Sequence, residues 1–148
     1  MKGKGFFMKK MILLLGVILS CVAFAGYEQD VLKKMTPIER KLRAEADGEP
    51  LGIAVDILDK LDKSWKAEMN KIYNLYSKKV SESERKKLAL EQKNVEKKVV
   101  NLDKERIESK GFGNGAIIEF LNDTTEIYKN RTLELAKRYD KLNKNNKK

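Results

Sequence analysis

Any chemistry in this chain has to be done with carboxylates, lysines, tyrosines and side-chain amides. Its 148 residues include no histidine and a single cysteine, Cys21. Ser–His and Cys–His nucleophile pairs therefore cannot be built, and zinc, copper and haem lose their commonest nitrogen ligand. Glu119 and Asp123, four residues apart, have the residue types of a glycosidase dyad. That reaction also needs a cleft that admits sugar rings, and with 22 acidic residues in the chain one such pair arises by chance. The reading is of a protein that is not an enzyme, with no catalytic, cofactor-binding or metal-ligating residue.

Binding is better represented. Gly111, Phe112, Gly113, Asn114 and Gly115 form the one glycine-rich stretch of the body. Backbone amides there can cradle an anion at a helix start, although the Lys-Ser/Thr ending of a phosphate loop is missing. A plain helix–helix connection is the preferred explanation of the glycines over an anion cradle. Phe112, an aromatic between glycines, reads as an exposed contact residue or as a lid on the core. These five residues are the candidate partner-binding loop. Gln92 and Arg131 are polar residues on otherwise apolar stripes, and burial would oblige each to find a partner. The partners open to them are groups across the bundle, or Asn70 or Glu134; the alternative is that both sit at the stripe's edge and reach water. Tyr73 falls off the main stripe of its helix.

Those residues need helices to position them. Thr36-Pro37-Ile38-Glu39 is a helix start, with Thr36 as cap and Pro37 in the first turn, and Asp47-Gly48-Glu49-Pro50 is a stop. The preceding stretch, 26–35, reads as a short lead. From about Leu51 to Lys79, the positions Leu58, Leu61, Trp65, Met69, Ile72, Tyr76 and Val80 step by three or four, one face of a helix. Ser81-Glu82-Ser83-Glu84 is a capping box that opens a third helix to about Ser109. Its stripe is Leu88, Gln92, Val95, Val99, Leu102 and Ile107, and the short connection predicts an antiparallel hairpin with the second helix. The last helix is expected from about Ala116 to Asn143, lined by Ile117, Leu121, Thr124, Tyr128, Arg131, Leu135 and Leu142. The prediction is an all-α fold: an antiparallel bundle of three long helices plus a short N-terminal helix. Residues 26–143 make a single helical domain, and 144–148 a disordered basic tail.

The first 25 residues have a different composition. Lys2, Lys4, Lys9 and Lys10 precede an apolar run from Met11 to Val22, and Ala23-Phe24-Ala25 precedes Gly26. This is the layout of a secretory signal peptide with a small-x-small cleavage site. The apolar run is well short of the ~20 residues of a spanning helix. Met8 offers an alternative start. Ile18-Leu19-Ser20-Cys21 resembles a lipobox, so lipidation of Cys21 is the alternative to cleavage near Ala25, and the route by which the chain would be anchored to a membrane. The net charge is +10, and removing the four lysines of the signal leaves +6 for residues 26–148. Export argues against nucleic acid as a partner and for a periplasmic or secreted location. The exported chain lacks cysteine, so apolar packing must carry its stability without disulfides.

Several of the polar positions also carry a resemblance. Met69-Asn70-Lys71-Ile72-Tyr73 resembles the Leu-Asn-x-x-Tyr signature of the LprI-like family of small exported bacterial proteins, named for lysozyme inhibition. Leu88-Ala89-Leu90-Glu91-Gln92 is similar to its Leu-x-x-x-Gln segment. Gly113-Asn114-Gly115 falls at its glycine-rich loop, and Arg131-Thr132-Leu133-Glu134-Leu135 resembles its closing Arg-Thr-x-Glu-Leu. Order and spacing agree over about residues 58–140. Val95 and Lys98 stand where the family often has Trp and Arg, and the family's cysteines are missing. The resemblance implies a helical envelope protein that binds a protein partner, with lysozyme the candidate, and marks Asn70, Tyr73, Gln92, Arg131 and Glu134 as motif positions. Because many lysozymes are basic, a chain of +6 needs a local acidic patch to dock, for which Glu82, Glu84, Glu119 and Asp123 are candidates. The alternative function is a structural, self-associating, adhesin-like envelope module without inhibitory activity. A third reading is a salt-sensitive binder of anionic wall polymer or lipid. The oligomeric state is left open.

Overall fold

A computed structural model of the chain describes residues 26–145; the expected signal peptide, its Cys21 and Met8 alternatives, and residues 146–148 lie outside the described residues. Four helices account for nearly all of it: α1 (Tyr27–Ala46), α2 (Leu51–Ser77), α3 (Glu82–Lys110) and α4 (Asn114–Asn145). Among the described residues there is no strand, and no helix is long and apolar enough to cross a membrane. The all-α bundle of three long helices and a shorter first one matches the expectation from periodicity.

The main correction to the helix boundaries is at the start. α1 begins at Tyr27, ten residues before the Thr36-Pro37 signal, and Pro37 lies inside it. Two forces outweigh that signal. Tyr27, Val31, Met35, Ile38, Leu42 and Ala46, spaced by three or four, all pack on the common core, so cutting the helix at 36 would expose Val31 and Met35. The first turn is also capped from another helix: the Asp140 carboxylate accepts the Tyr27 N–H at 2.7 Å and the Glu28 N–H at 3.1 Å. Pro37 forfeits one helical hydrogen bond, but it is exposed and water can serve the freed carbonyl. The other ends move by about two residues: α2 stops at Ser77, and α4 starts at Asn114 and reaches Asn145, taking in the first two residues of the expected tail.

Successive helices run antiparallel, yet the tightest pair is not a sequence-adjacent one. α2 and α4 pack along their lengths, while α2 and α3 barely approach each other. Thr124 donates to Asp62 at 2.6 Å and Lys79 to Asn143 at 2.8 Å, a near-constant offset along both helices, so this central pair is parallel. α1 lies across both on one side. Trp65, Leu61, Ile72 and Leu135 are fully buried in the shared interior. α4 touches all three other helices, and its buried face widens accordingly to include Thr125, Thr132 and Ala136 beside the predicted stripe.

α3 is the outlier. Only Leu88 and Gln92 of its 29 residues are buried, and Ile107, at the end of its predicted stripe, is exposed. Its start is fixed by Ser81, whose Oγ accepts the Glu84 N–H at 3.2 Å as the capping box requires. Arg85 then donates to the Ser77 carbonyl, tying α3 back to the end of α2.

Candidate functional site

Three places gather the residues that composition and spacing single out. The first is the turn between α3 and α4. Gly111 takes φ +76°, a backbone angle that a side chain would strain, and so ends α3. Its N–H reaches back to the Arg106 carbonyl, and its own carbonyl accepts from the Arg106 guanidinium at 3.0 Å. The same guanidinium is held by Asp103 and lies over the rings of Phe112 and Phe120, with the Phe120 centroid 5.6 Å away. Arg106 thus clamps the turn. Phe112 is 75% exposed, the most exposed large apolar residue described, which settles its geometry as a displayed aromatic and not a lid. Gly113 accepts the first helical bond of α4 from Ile117. Asn114 and Gly115 are the first residues of α4, so the turn itself is three residues long.

The second place is a groove between α2 and α3, opened because those helices splay. Asn70, Tyr73 and Asn74 of α2 face Ala89, Gln92, Lys93 and Glu96 of α3 across a space of about 580 Å³. Gln92 does not bond to Asn70, one of the partners open to it. Its Nε2 donates to the Met69 sulfur at 3.6 Å, and its Oε1 has no partner among the described residues. Tyr73 is half-buried against the core, and Asn70 is exposed.

The third is an ion cluster on the other side of α3. Arg131, buried, donates to Glu134 and to Glu91, each at 2.9 Å. Arg138 joins the same two carboxylates at 2.8 and 2.5 Å. Burial pushes the Glu91 carboxyl up, but the two guanidinium groups outweigh it and hold the group below the usual carboxylate range. The Arg131–Glu134 pairing was legible in the sequence; Glu91 was not, because it belongs to another helix. The five motif positions thus divide: Asn70, Tyr73 and Gln92 line the groove, and Arg131, held by Glu134, pins α4 to α3 through Glu91.

One expectation about carboxylates fails, that of a four-acid docking patch. Glu82 and Glu84 open α3, whereas Glu119 and Asp123 lie in the second and third turns of α4 beside the end of α3. A 29-residue helix is about 43 Å long, so these four acids do not make one patch. Glu119 is moreover taken by Lys110, and the space it shares with Asp123 is about 180 Å³, too small for a row of sugar rings.

Sequence reasoning missed Glu68, which is buried and held by the Tyr27 hydroxyl and the Lys34 ammonium. It missed Asp62, raised above the usual carboxylate range by burial despite hydrogen bonds from Thr124 and Thr125. Neither acid has a local signal beyond its place at the edge of the α2 stripe. Set against known proteins, the chain matches no family model, no curated protein and no solved structure.

Proposed function

We propose that this is an exported bacterial envelope protein that binds another protein through the α3–α4 turn, and that the partner is a lysozyme-type muramidase which it inhibits. The observation that carries the reading is Phe112. A solvent-displayed aromatic costs solubility and buries little of itself in the fold, yet the turn beneath it is clamped by Arg106. Aromatic side chains, Phe among them, are enriched at protein interfaces, and one carried on a pre-organised turn loses less conformational entropy on docking. The resemblance of the Asn70, Tyr73, Gln92, Arg131 and Glu134 motifs to the LprI-like family supplies the identity of the partner. The secretory layout of residues 1–25 supplies the compartment, with cleavage near Ala25 just ahead of α1.

The test is lysozyme activity on cell-wall substrate with purified 26–148 protein, at low and moderate salt. Inhibition that persists in salt is expected. Phe112→Ala should weaken it by at least ~30-fold, the loss of one aromatic anchor worth about 2 kcal/mol, with the helical circular dichroism unchanged. Full inhibition by Phe112→Ala would remove the turn from the interface. No inhibition of any lysozyme would leave the self-associating structural module, which predicts concentration-dependent oligomers by sedimentation.

A further inference from the structure

The α3–α4 turn does not stand alone. The α1–α2 turn lies at the same end of the bundle: a Cβ placed on Gly52 would sit 3.6 Å from the Asn114 side chain. Leu51 and Ile53, which flank that glycine, are 57% and 49% exposed. Three of the six large apolar side chains left exposed among the described residues, Leu51, Ile53 and Phe112, therefore gather at one end of a 120-residue body. Exposed apolar groups scattered singly need no explanation, but a cluster does.

The charge around this cluster runs against that of the molecule. Residues 40–59 and 103–128, the two helix–turn–helix segments that converge here, hold eleven carboxylates against six lysines and arginines. Ion pairs engage Glu45, Asp59, Asp103, Glu108, Glu119 and Glu126, which leaves Asp47, Glu49, Asp56, Glu105 and Asp123 exposed to solvent. The opposite end, residues 78–87 and 137–144, carries nine basic residues against three acidic ones. A chain of net positive charge is thus polarised along its axis, with its apolar end negative.

We propose that Leu51, Ile53 and Phe112 form one docking surface, and that its acidic surroundings select a cationic protein as the occupant. This rests on the reading of the α3–α4 turn as a protein-binding element and adds the α1–α2 turn to it. It also removes the objection from net charge: what a partner meets at close range is the local potential, since charges beyond about 8 Å are screened at physiological salt. Attraction between unlike patches raises the association rate, and the apolar contacts slow dissociation. A second copy offering its basic end is the competing occupant.

The test uses the exported mature protein and three variants: Leu51→Ser with Ile53→Ser, Asp47→Lys with Glu49→Lys and Asp56→Lys, and Phe112→Ala. Binding to a basic lysozyme is measured by surface plasmon resonance, alongside retention on immobilised polylysine and sedimentation of the protein alone. The proposal expects the serine pair to weaken lysozyme binding ~10-fold through dissociation. It expects the lysine triple to slow association ~10-fold at low salt, the gap closing as salt rises. It also expects wild type to be retained on polylysine and the lysine triple to be lost from it. Wild-type affinity in the serine pair, with Phe112→Ala still impaired, would overturn the composite surface and leave the proposed function standing. Retention on polylysine that depends on Asp47, Glu49 and Asp56, without any lysozyme binding, would overturn the lysozyme reading and keep a cationic partner. Equal retention of wild type and lysine triple, or salt-sensitive oligomers that the lysine triple abolishes, would overturn the cationic-partner assignment itself.

Discussion

Replacing Asp140 by Ala tests the least local feature of the fold, the capping of α1 from α4 across 112–113 residues of chain. The side chain does the work of an N-cap from a distance: its two oxygens accept two of the four amides that every helix start leaves unpaired. Gly26, the residue in the cap position, has no side chain to take over. Loss of an N-cap acceptor costs about 1 kcal/mol, and loss of a negative charge at the positive end of the helix about 0.5 kcal/mol more. The second amide, half-buried, adds a comparable fraction. The sum is about 2 kcal/mol, or about 8 °C in Tm for a domain of this size. Asp140→Asn keeps one good acceptor and no charge, and should fall near half of that. Urea unfolding of 26–148 followed by circular dichroism reads both. A loss below ~0.5 kcal/mol for Asp140→Ala would mean that core packing alone holds the first turn of α1, and that the account of its early start is wrong.

Gly26→Ala should destabilise comparably, since a Cβ there would stand 2.3 Å from an Asp140 oxygen; stability equal to wild type in the same urea titration would show that Asp140 moves aside without cost. Glu91→Gln should cost about 1–2 kcal/mol at neutral pH, discounted because Glu91 is over one-third exposed and Arg131 keeps Glu134. The folded state lowers the Glu91 carboxyl, so its contribution is present above the unfolded carboxylate value and is lost as pH falls through the folded one. The gap between wild type and Glu91→Gln should therefore close on acidification, and a gap constant to low pH would refute the assignment. Gln92→Met removes, at similar volume, a buried carbonyl with no partner among the described residues, and should stabilise by about 1 kcal/mol. A loss of similar size would show that the Gln92 carbonyl is served within the groove.

The lengths and faces of α2, α3 and α4 were legible because they rest on local rules. The three-four steps from Leu58 to Tyr76 suit only a helix, the Ser81 box caps where it stands, and Gly111 with φ +76° stops α3 as a glycine should. The glycine turn left Phe112 as either a displayed aromatic or a lid on the core, and only the packing, which leaves it 75% exposed, decided between them. The first helix was misread because its start is decided by Asp140, far along the chain, and by burial of Val31 and Met35 against other helices. Periodicity finds a face but not its neighbour. It could not say that α2 would pair in parallel with α4 and leave α3 splayed, nor that the motif positions would divide between a groove and an ion cluster. The grouping of Leu51 and Ile53 with Phe112 has the same origin. Sequence determined what each helix and turn is; only the packing of the tightest pair, which aligns the beginnings of α2 and α4, decided which turns share an end and so which residues can meet a partner together.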